Sequence, residues 1–277
     1  MRFGASQATG VSLDTATTEY VAAQGANAFT GDTLIAVDNT IRALKTSSLW
    51  SATYFDAIYF LANPTGKTGA GTLVNAFAPG DATIGLATAE GSIAFDTVNG
   101  YGWTGANQKY LDTKLKSGIV GRAHQQNSCH GMIFLRTVPT ANDNFLCIGF
   151  ADANGCGINP RFAGGSANKA GYQVHAGMNL TSSALTYWTG MWCYNRTASN
   201  ALQLSLDGAN VRSNTTASNA PPDMTLKMCA TATNNRYCDS QCSFASFGGA
   251  LTDARKLSIY EIVRDNYLTP LGISAVR

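Results

Sequence analysis

The amino-acid sequence predicts a mainly β protein: an antiparallel β-sandwich with a helical N-terminal segment and a C-terminal helix. Three observations carry that expectation. From residue 110 onward, apolar runs of strand length recur, separated by Gly, Asn, Asp or Ser, which is the spacing of a sandwich or barrel. Asp207-Gly208 separates Leu202-Gln203-Leu204-Ser205-Leu206 from Asn210-Val211-Arg212-Ser213, and Asp-Gly suits hairpin positions that need positive φ. Only 13% of the 277 residues are charged while 28 are glycine, a composition fit for strands and tight turns under a neutral polar surface.

In chain order, residues 1 to about 30 are rich in Ala, Thr and Gln with little apolar periodicity, and positions 13–23 support a short helix at most. This stretch reads as an attachment arm. Asp32 is placed to cap a helix running to about Lys45, because Leu34, Val37, Ile41 and Leu44 fall on one stripe. That stripe requires a partner, either the β-domain of its own chain or a surface outside it. Positions 55–61 form a near-continuous apolar run ended by Asn63-Pro64-Thr65-Gly66, which fits a buried strand followed by a turn. Short pairings are expected at 72–77 and 92–95. Positions 100–115 read as a β-corner: glycines punctuate Tyr101 and Trp103, and the following alternation puts Tyr110 and Asp112 on one face and Leu111 on the other.

Further strands are expected at 131–136, 145–151, 172–178, 189–195, 202–206, 210–213, 226–230 and 242–247, with Gly155 to Gly157 as a hairpin turn. Thr252-Asp253 caps a final helix from Ala254 to about Leu268. Its stripe is Leu257, Tyr260, Val263 and Tyr267, and Pro270 and Gly272 end it. The division is therefore an arm and helix at 1–50, for attachment or oligomerisation, and a β-domain with its closing helix at 51–277.

The segment Gly-Tyr-x-x-x-Gly-x-x-x-x-Tyr-Leu-Asp-Thr beginning at Gly100 resembles the opening of laminin-G-like, concanavalin A-type jelly-roll domains of tailed-bacteriophage structural proteins. Leu204-Ser205-Leu206-Asp207-Gly208 is similar to their strand-turn-strand hairpin, and positions 244–272 to their closing strand and helix. The likeness spans roughly residues 55–273. It implies a jelly roll displayed on a virion, with other virion proteins as partners and self-association, most simply as a trimer. It also implies assembly in the host cytoplasm and a place on the virion surface.

Composition excludes several classes. A formal net charge of +2 with no Lys/Arg run gives no footprint for nucleic acid. No apolar run approaches the ~20 residues that cross a bilayer, and the N-terminal residues show no apolar signal region. Glycosidases of this architecture use paired carboxylates, yet the three glutamates Glu19, Glu90 and Glu261 fall in the arm, a loop and the last helix, and the aspartates are scattered. There is no Gly-x-Ser-x-Gly elbow. Cys129 and His130 would face opposite sides of a strand, so a Cys-His pair would need His124 or His175 across space. Catalysis is not expected.

The seven cysteines contain no Cys-x-x-Cys pair; the nearest is Cys238-x-x-x-Cys242. No metal or other cofactor is expected; a glycan-binding module leaves room for Ca²⁺ held by Asn or Asp, though no motif supports it. The thiols read as buried strand residues or disulfides, with Cys147 and Cys156 able to meet across a hairpin and Cys229, Cys238 and Cys242 close enough for one further bridge. Two functions remain: a non-enzymatic virion component such as a decoration, collar or tail-fibre protein, or a glycan-binding module. For the second, Tyr101, Trp103, Tyr187 and Trp188 are the candidate sugar contacts on a host surface polysaccharide. Trp188 and Trp192 share a face of one strand-like run, so at least one should be core.

Overall fold

The computed structural model describes residues 12–64, 69–90, 94–96, 100–102, 110–139, 147–150, 154–162, 169–177, 179–181, 185–228 and 240–274. Among these, two antiparallel sheets lie face to face. One has the strand order β13 (Ala209–Asn214), β12 (Ala201–Leu206), β11 (Gly190–Ala198), β6 (Cys129–Leu135), β15 (Cys242–Gly248), β4 (Gly100–Gly102), β3 (Ala94–Asp96), and β1 (Ala57–Phe60) shares the free side of β15. The second runs β10 (Asn179–Leu180), β9 (Lys169–Val174), β8 (Cys156–Phe162), β7 (Ile148–Phe150), β14 (Thr225–Met228), β5 (Tyr110–Lys116), β2 (Thr88–Glu90). The protein is a mainly β antiparallel sandwich with helices at both ends of the chain, as the sequence predicts.

Alternation decides which side chains enter the sandwich. In β5, Leu111, Thr113 and Leu115 are buried while Tyr110, Asp112, Lys114 and Lys116 are half-exposed. β1 is buried on both faces because Tyr59 points between the sheets and Ile58 and Phe60 point outward, under a helical layer. That layer comprises α1 (Thr15–Gln24), α2 (Gly31–Thr46) and α3 (Asp253–Val263), the last continued by one π turn, Arg264–Leu268. Val37, Ile41 and Leu44 of α2 pack with Phe60, Phe134, Met191 and Phe244 of the first sheet's outer face and with Tyr267. The α2 stripe is thus covered by its own chain, which removes the reason drawn from it for bundling with copies. From residue 12 on, the predicted arm is also folded onto the body: Tyr20 of α1 is fully buried against Phe29 and Phe60.

Several local expectations are corrected. Thr30, not Asp32, holds the N-cap position of α2, and Asp32 lies in its first turn. Residues 72–77 include the end of a 3₁₀ turn, Ala70–Leu73, and a single bridge from Val74 to Leu86. Gly155 to Gly157 is no hairpin turn, because β8 begins at Cys156. Gly157 pairs with Gly149 of β7, whose φ of 111° and the close Cys156 carbonyl leave no room for a side chain. The Asp207-Gly208 turn is present, with both residues at positive φ of 51° and 80°.

The final helix is capped by Thr252 as expected, but its buried face differs. Lys256, Ile259, Val263 and Tyr267 are buried, while Leu257 is 43% exposed. The cause is the Lys256 ammonium, which donates to Gln203 Oε1 at 3.0 Å, Ser205 Oγ at 2.8 Å and Asn210 Oδ1, and pairs with Asp253. A buried charge so satisfied anchors the helix to β12 and β13. Replacing it, Lys256→Met, should cost about 2–3 kcal/mol in urea unfolding through lost charge-assisted bonds. An unchanged midpoint would mean the amine is not the anchor.

A buried cluster between the sheets

Among the described residues, the predicted sugar contacts divide between core and surface. Tyr101 is 3% exposed; its ring sits on Phe95 and its hydroxyl donates to the Gly69 carbonyl, so it is a core residue and not a sugar platform. Trp103 lies outside the described residues. Trp188 is half-buried, with the Arg161 guanidinium 4.4 Å over its ring, and adjacent Tyr187 is 36% exposed. Trp192 is the core member of the tryptophan pair, its indole N–H donating to the Trp188 carbonyl.

The cysteine pairings also change. Cys156 and Cys242 are free buried thiols. Cys156 pairs with Phe150 and not with Cys147, which lies three rungs along, roughly 10 Å at ~3.3 Å per residue and beyond the reach of a disulfide. Cys147 is fully buried and engaged elsewhere. Cys229 and Cys238 lie outside the described residues.

What the fold does bring together is a polar cluster between the sheets. Cys129 opens β6 in one sheet and Cys156 opens β8 in the other. His124 comes from the β5–β6 connection, and His175 follows β9. Ser117 follows β5 and Tyr194 lies on β11. All are buried. One ligand atom from each of His124, Cys129 and Cys156 lies within 4.8 Å of the others, and among the described residues this is the one such group of three His, Cys, Asp or Glu residues. Both ring nitrogens of His175 lie 3.5 and 3.6 Å from Cys156 Sγ. Ser117 Oγ is 2.9 Å from His124 Nδ1 and 2.9 Å from His175 Nε2, while Tyr194 Oη is 3.1 Å from His124 Nε2.

The surroundings position these groups. Both carboxylate oxygens of Asp56 accept backbone N–H bonds, from Ala123 at 2.9 Å and His124 at 2.7 Å, fixing the loop that carries His124. A Cβ at Gly131 would fall 2.6 Å from Tyr194 Oη, so glycine there makes room for the tyrosine to reach the cluster. His175 holds a left-handed conformation, φ 52°, that few side chains adopt. Arg196, the cross-strand neighbour of Cys129, is buried and donates to the carbonyls of Val174, Ala198, Ser199 and Thr216. Burial, with the positive charge of neighbouring His175 and, less, of His130 farther off, holds His124 well below the usual imidazole range. Burial and the neighbouring Cys156 sulfur push Cys129 up. Burial raises Cys156 too, but its contacts with Cys129 and His175 outweigh that and bring it below an ordinary thiol.

Sequence reasoning missed this cluster because its members are spread from 117 to 194 with no ligand spacing. The available signal was the requirement that a Cys-His pair use His124 or His175 across space. His130 is separate: it lies on the opposite face of β6 from Cys129, its Nδ1 2.6 Å from the Gly249 carbonyl.

Acid-base machinery is not assembled elsewhere among the described residues. Asp14, Asp81 and Asp112 take up backbone N–H groups and a neighbouring cation, Asp207 accepts from Met191 N, and Asp38, Asp223, Asp253 and Asp265 pair with Arg or Lys. A cleft of about 230 Å³ beside Phe134, Asp207, Tyr260 and Arg264 is smaller than the ~300–1,000 Å³ usual for ligand pockets. No helix among the described residues is long and apolar enough to cross a membrane.

No family model matches the chain, and no curated protein matches it. Among solved structures it is similar to Trypanosoma rangeli sialidase in complex with sialic acid, at 11% identity over 83% of this chain and 38% of that one, TM-score 0.50. It is similar also to the binding domain of botulinum neurotoxin DC in complex with rat synaptotagmin II, at 9% identity over 76% of this chain and 52% of that one, TM-score 0.50. A third, domain 4 of an extracellular arabinanase from Geobacillus stearothermophilus with arabinotriose, has 12% identity over 75% of this chain and 98% of that one, TM-score 0.49. The chain thus spans about two-fifths of the sialidase and half of the toxin domain. The likenesses to the sialidase and to the toxin domain show the β-sandwich fold.

Proposed function

We propose that the chain is a non-enzymatic structural module of a bacteriophage particle, a decoration, collar or tail-fibre component that presents its jelly roll on the virion surface. The observation that supports the non-enzymatic part is the commitment of carboxylates among the described residues: those bonded in the fold serve caps, turns and ion pairs, and the exposed Glu19, Asp32 and Glu261 sit singly on helices. What supports the virion part is the segment beginning at Gly100. Its two halves form β4 in one sheet and β5 in the other, consistent with a jelly-roll entry, and the Asp207-Gly208 hairpin and closing strand-helix follow in the same order. Partners are other virion proteins and further copies of this chain. Antibodies raised against the purified chain should decorate intact particles; labelling of lysate protein with bare particles would reject the assignment.

A second reading is favoured by one patch, the exposed Tyr187 beside Trp188 and Arg161. An aromatic face next to a guanidinium suits a sugar ring with anionic or hydroxyl substituents. Host polysaccharide should then bind without being cleaved, and Tyr187→Ala should weaken binding about tenfold, equivalent to ~1.4 kcal/mol. Release of reducing ends by the pure chain would overturn the non-enzymatic reading, and equal binding by the variant would remove Tyr187 from the contact.

A further inference from the structure

We propose that Cys129, Cys156, His124 and His175 form a tetrahedral site for a thiophilic divalent cation, zinc(II) by its chemistry, which ties the two sheets together. Two sulfurs and two imidazoles are the donor set that zinc takes in closed structural sites, whereas calcium and magnesium require oxygen. The spacing agrees. With Zn–S of ~2.3 Å and Zn–N of ~2.0–2.1 Å, tetrahedral S···N edges are about 3.6 Å. His124, Cys129 and Cys156 offer ligand atoms within 4.8 Å of one another, and His175, outside that group of three, has its nitrogens 3.5 and 3.6 Å from Cys156 Sγ, so a turn of its ring toward the other two closes the shell.

Ser117 supplies the outer support. Its oxygen has two lone pairs and accepts from the Nδ1–H of His124 and the Nε2–H of His175, each 2.9 Å away. That fixes both tautomers and leaves His124 Nε2 and His175 Nδ1 as inward-facing donors, the arrangement by which outer hydroxyls and carboxylates orient metal-bound histidines. Tyr194 Oη, now 3.1 Å from His124 Nε2, is the group the ion displaces from that nitrogen. The ligands come from both sheets: Cys129 opens a strand of one, and Cys156 and His175 belong to the other. An ion there cross-links the sandwich through four side chains that are themselves buried. Full burial of Cys156 and His175 also argues against the competing use of the pair as a nucleophile and base, which must meet a substrate.

The test uses the full chain, expressed with zinc in the medium and purified under reductant without chelator. Elemental analysis should find about one zinc per chain, and exchange for cobalt(II) should give the intense thiolate-to-cobalt bands of a tetrahedral site. The cobalt spectrum needs no variant and stands even if a ligand substitution fails to fold. Cys156→Ser and His175→Gln should lose the ion, while Cys193→Ser, a buried free thiol on the outer face of the same sheet as Cys129, should retain it. A folded wild-type chain without zinc or cobalt bands would overturn the site. So would zinc retained by Cys156→Ser, which places the ion elsewhere, or a Cys129–Cys156 disulfide in the native protein.

Discussion

Gly248→Ala should be among the most damaging single-methyl changes in this chain. Gly248 closes β15, where the polypeptide entering β1 runs close alongside it, and a Cβ there would lie 2.6 Å from the Tyr54 carbonyl carbon and 2.7 Å from Phe55 Cα, with the Tyr54 oxygen closer still. These are backbone atoms and cannot swing aside. Relief requires lifting the 53–56 segment from the strand, which breaks the Asp56 N–H bond to the Phe247 carbonyl. The displacement also reaches Asp56, whose carboxylate holds the backbone of Ala123 and His124. A loss of about 4 kcal/mol or more is expected, in the range reserved for overpacking with broken hydrogen bonds. At roughly 2–4 °C per kcal/mol, thermal unfolding should fall by at least roughly 8 °C. Gly80→Ala is the control, since a Cβ there meets nothing within 4 Å and should change stability by less than ~0.5 kcal/mol. Equal melting of the two variants would show that the segment entering β1 packs loosely against the end of β15.

The difference between Gly248 and Gly80 also shows how much the sequence reveals. Strand periodicity and the Asp207-Gly208 turn specify local structure, because hairpin chemistry and alternation act over a few residues. Both were legible. β8 was not, since Cys-Gly-Ile-Asn-Pro-Arg-Phe contains glycine and proline that read as turn, and only the facing Gly149 makes Gly157 a strand residue. The burial of Lys256 was illegible for a related reason: on its own helix a lysine marks the solvent side, and the oxygens that receive it lie about fifty positions upstream. The buried cluster is the extreme case. His124, Cys129 and Cys156, with His175 beside Cys156, acquire their relation only when two sheets stack, and no spacing rule registers a site assembled that way. The aromatics failed in the opposite sense, because Tyr101 looks like an exposed platform until Phe95 and Gly69 cover it.

Phe60→Ala should separate the helical layer from the sandwich. Phe60 is fully buried and its ring meets three others: Tyr267 of the C-terminal π turn at 4.9 Å, Phe244 of β15 at 5.8 Å and Tyr20 of α1 at 6.2 Å. One side chain therefore joins both ends of the chain to the first sheet. Tyr267 adds a second tie, since its hydroxyl accepts from Ala62 N and donates to Ala62 O, two residues beyond Phe60. Truncation to alanine should cost about 3–5 kcal/mol, the range for an aromatic core cavity. Phe60→Leu, which keeps most of the volume, should cost clearly less, and Leu257→Ala on the exposed face of α3 almost nothing. The two cores predict where the loss is felt. Phe60 belongs to the core under the helices, whereas Leu111, Ile158 and Trp192 belong to the one between the sheets. Amide hydrogen exchange in Phe60→Ala should accelerate first in α1, α2 and the C-terminal helix while β8 and β9 stay protected, because a cooperative unit opens where its own contacts are lost. Uniform acceleration throughout would mean that the helices and the sandwich unfold as one body, and that the helical layer is as integral to the fold as either sheet.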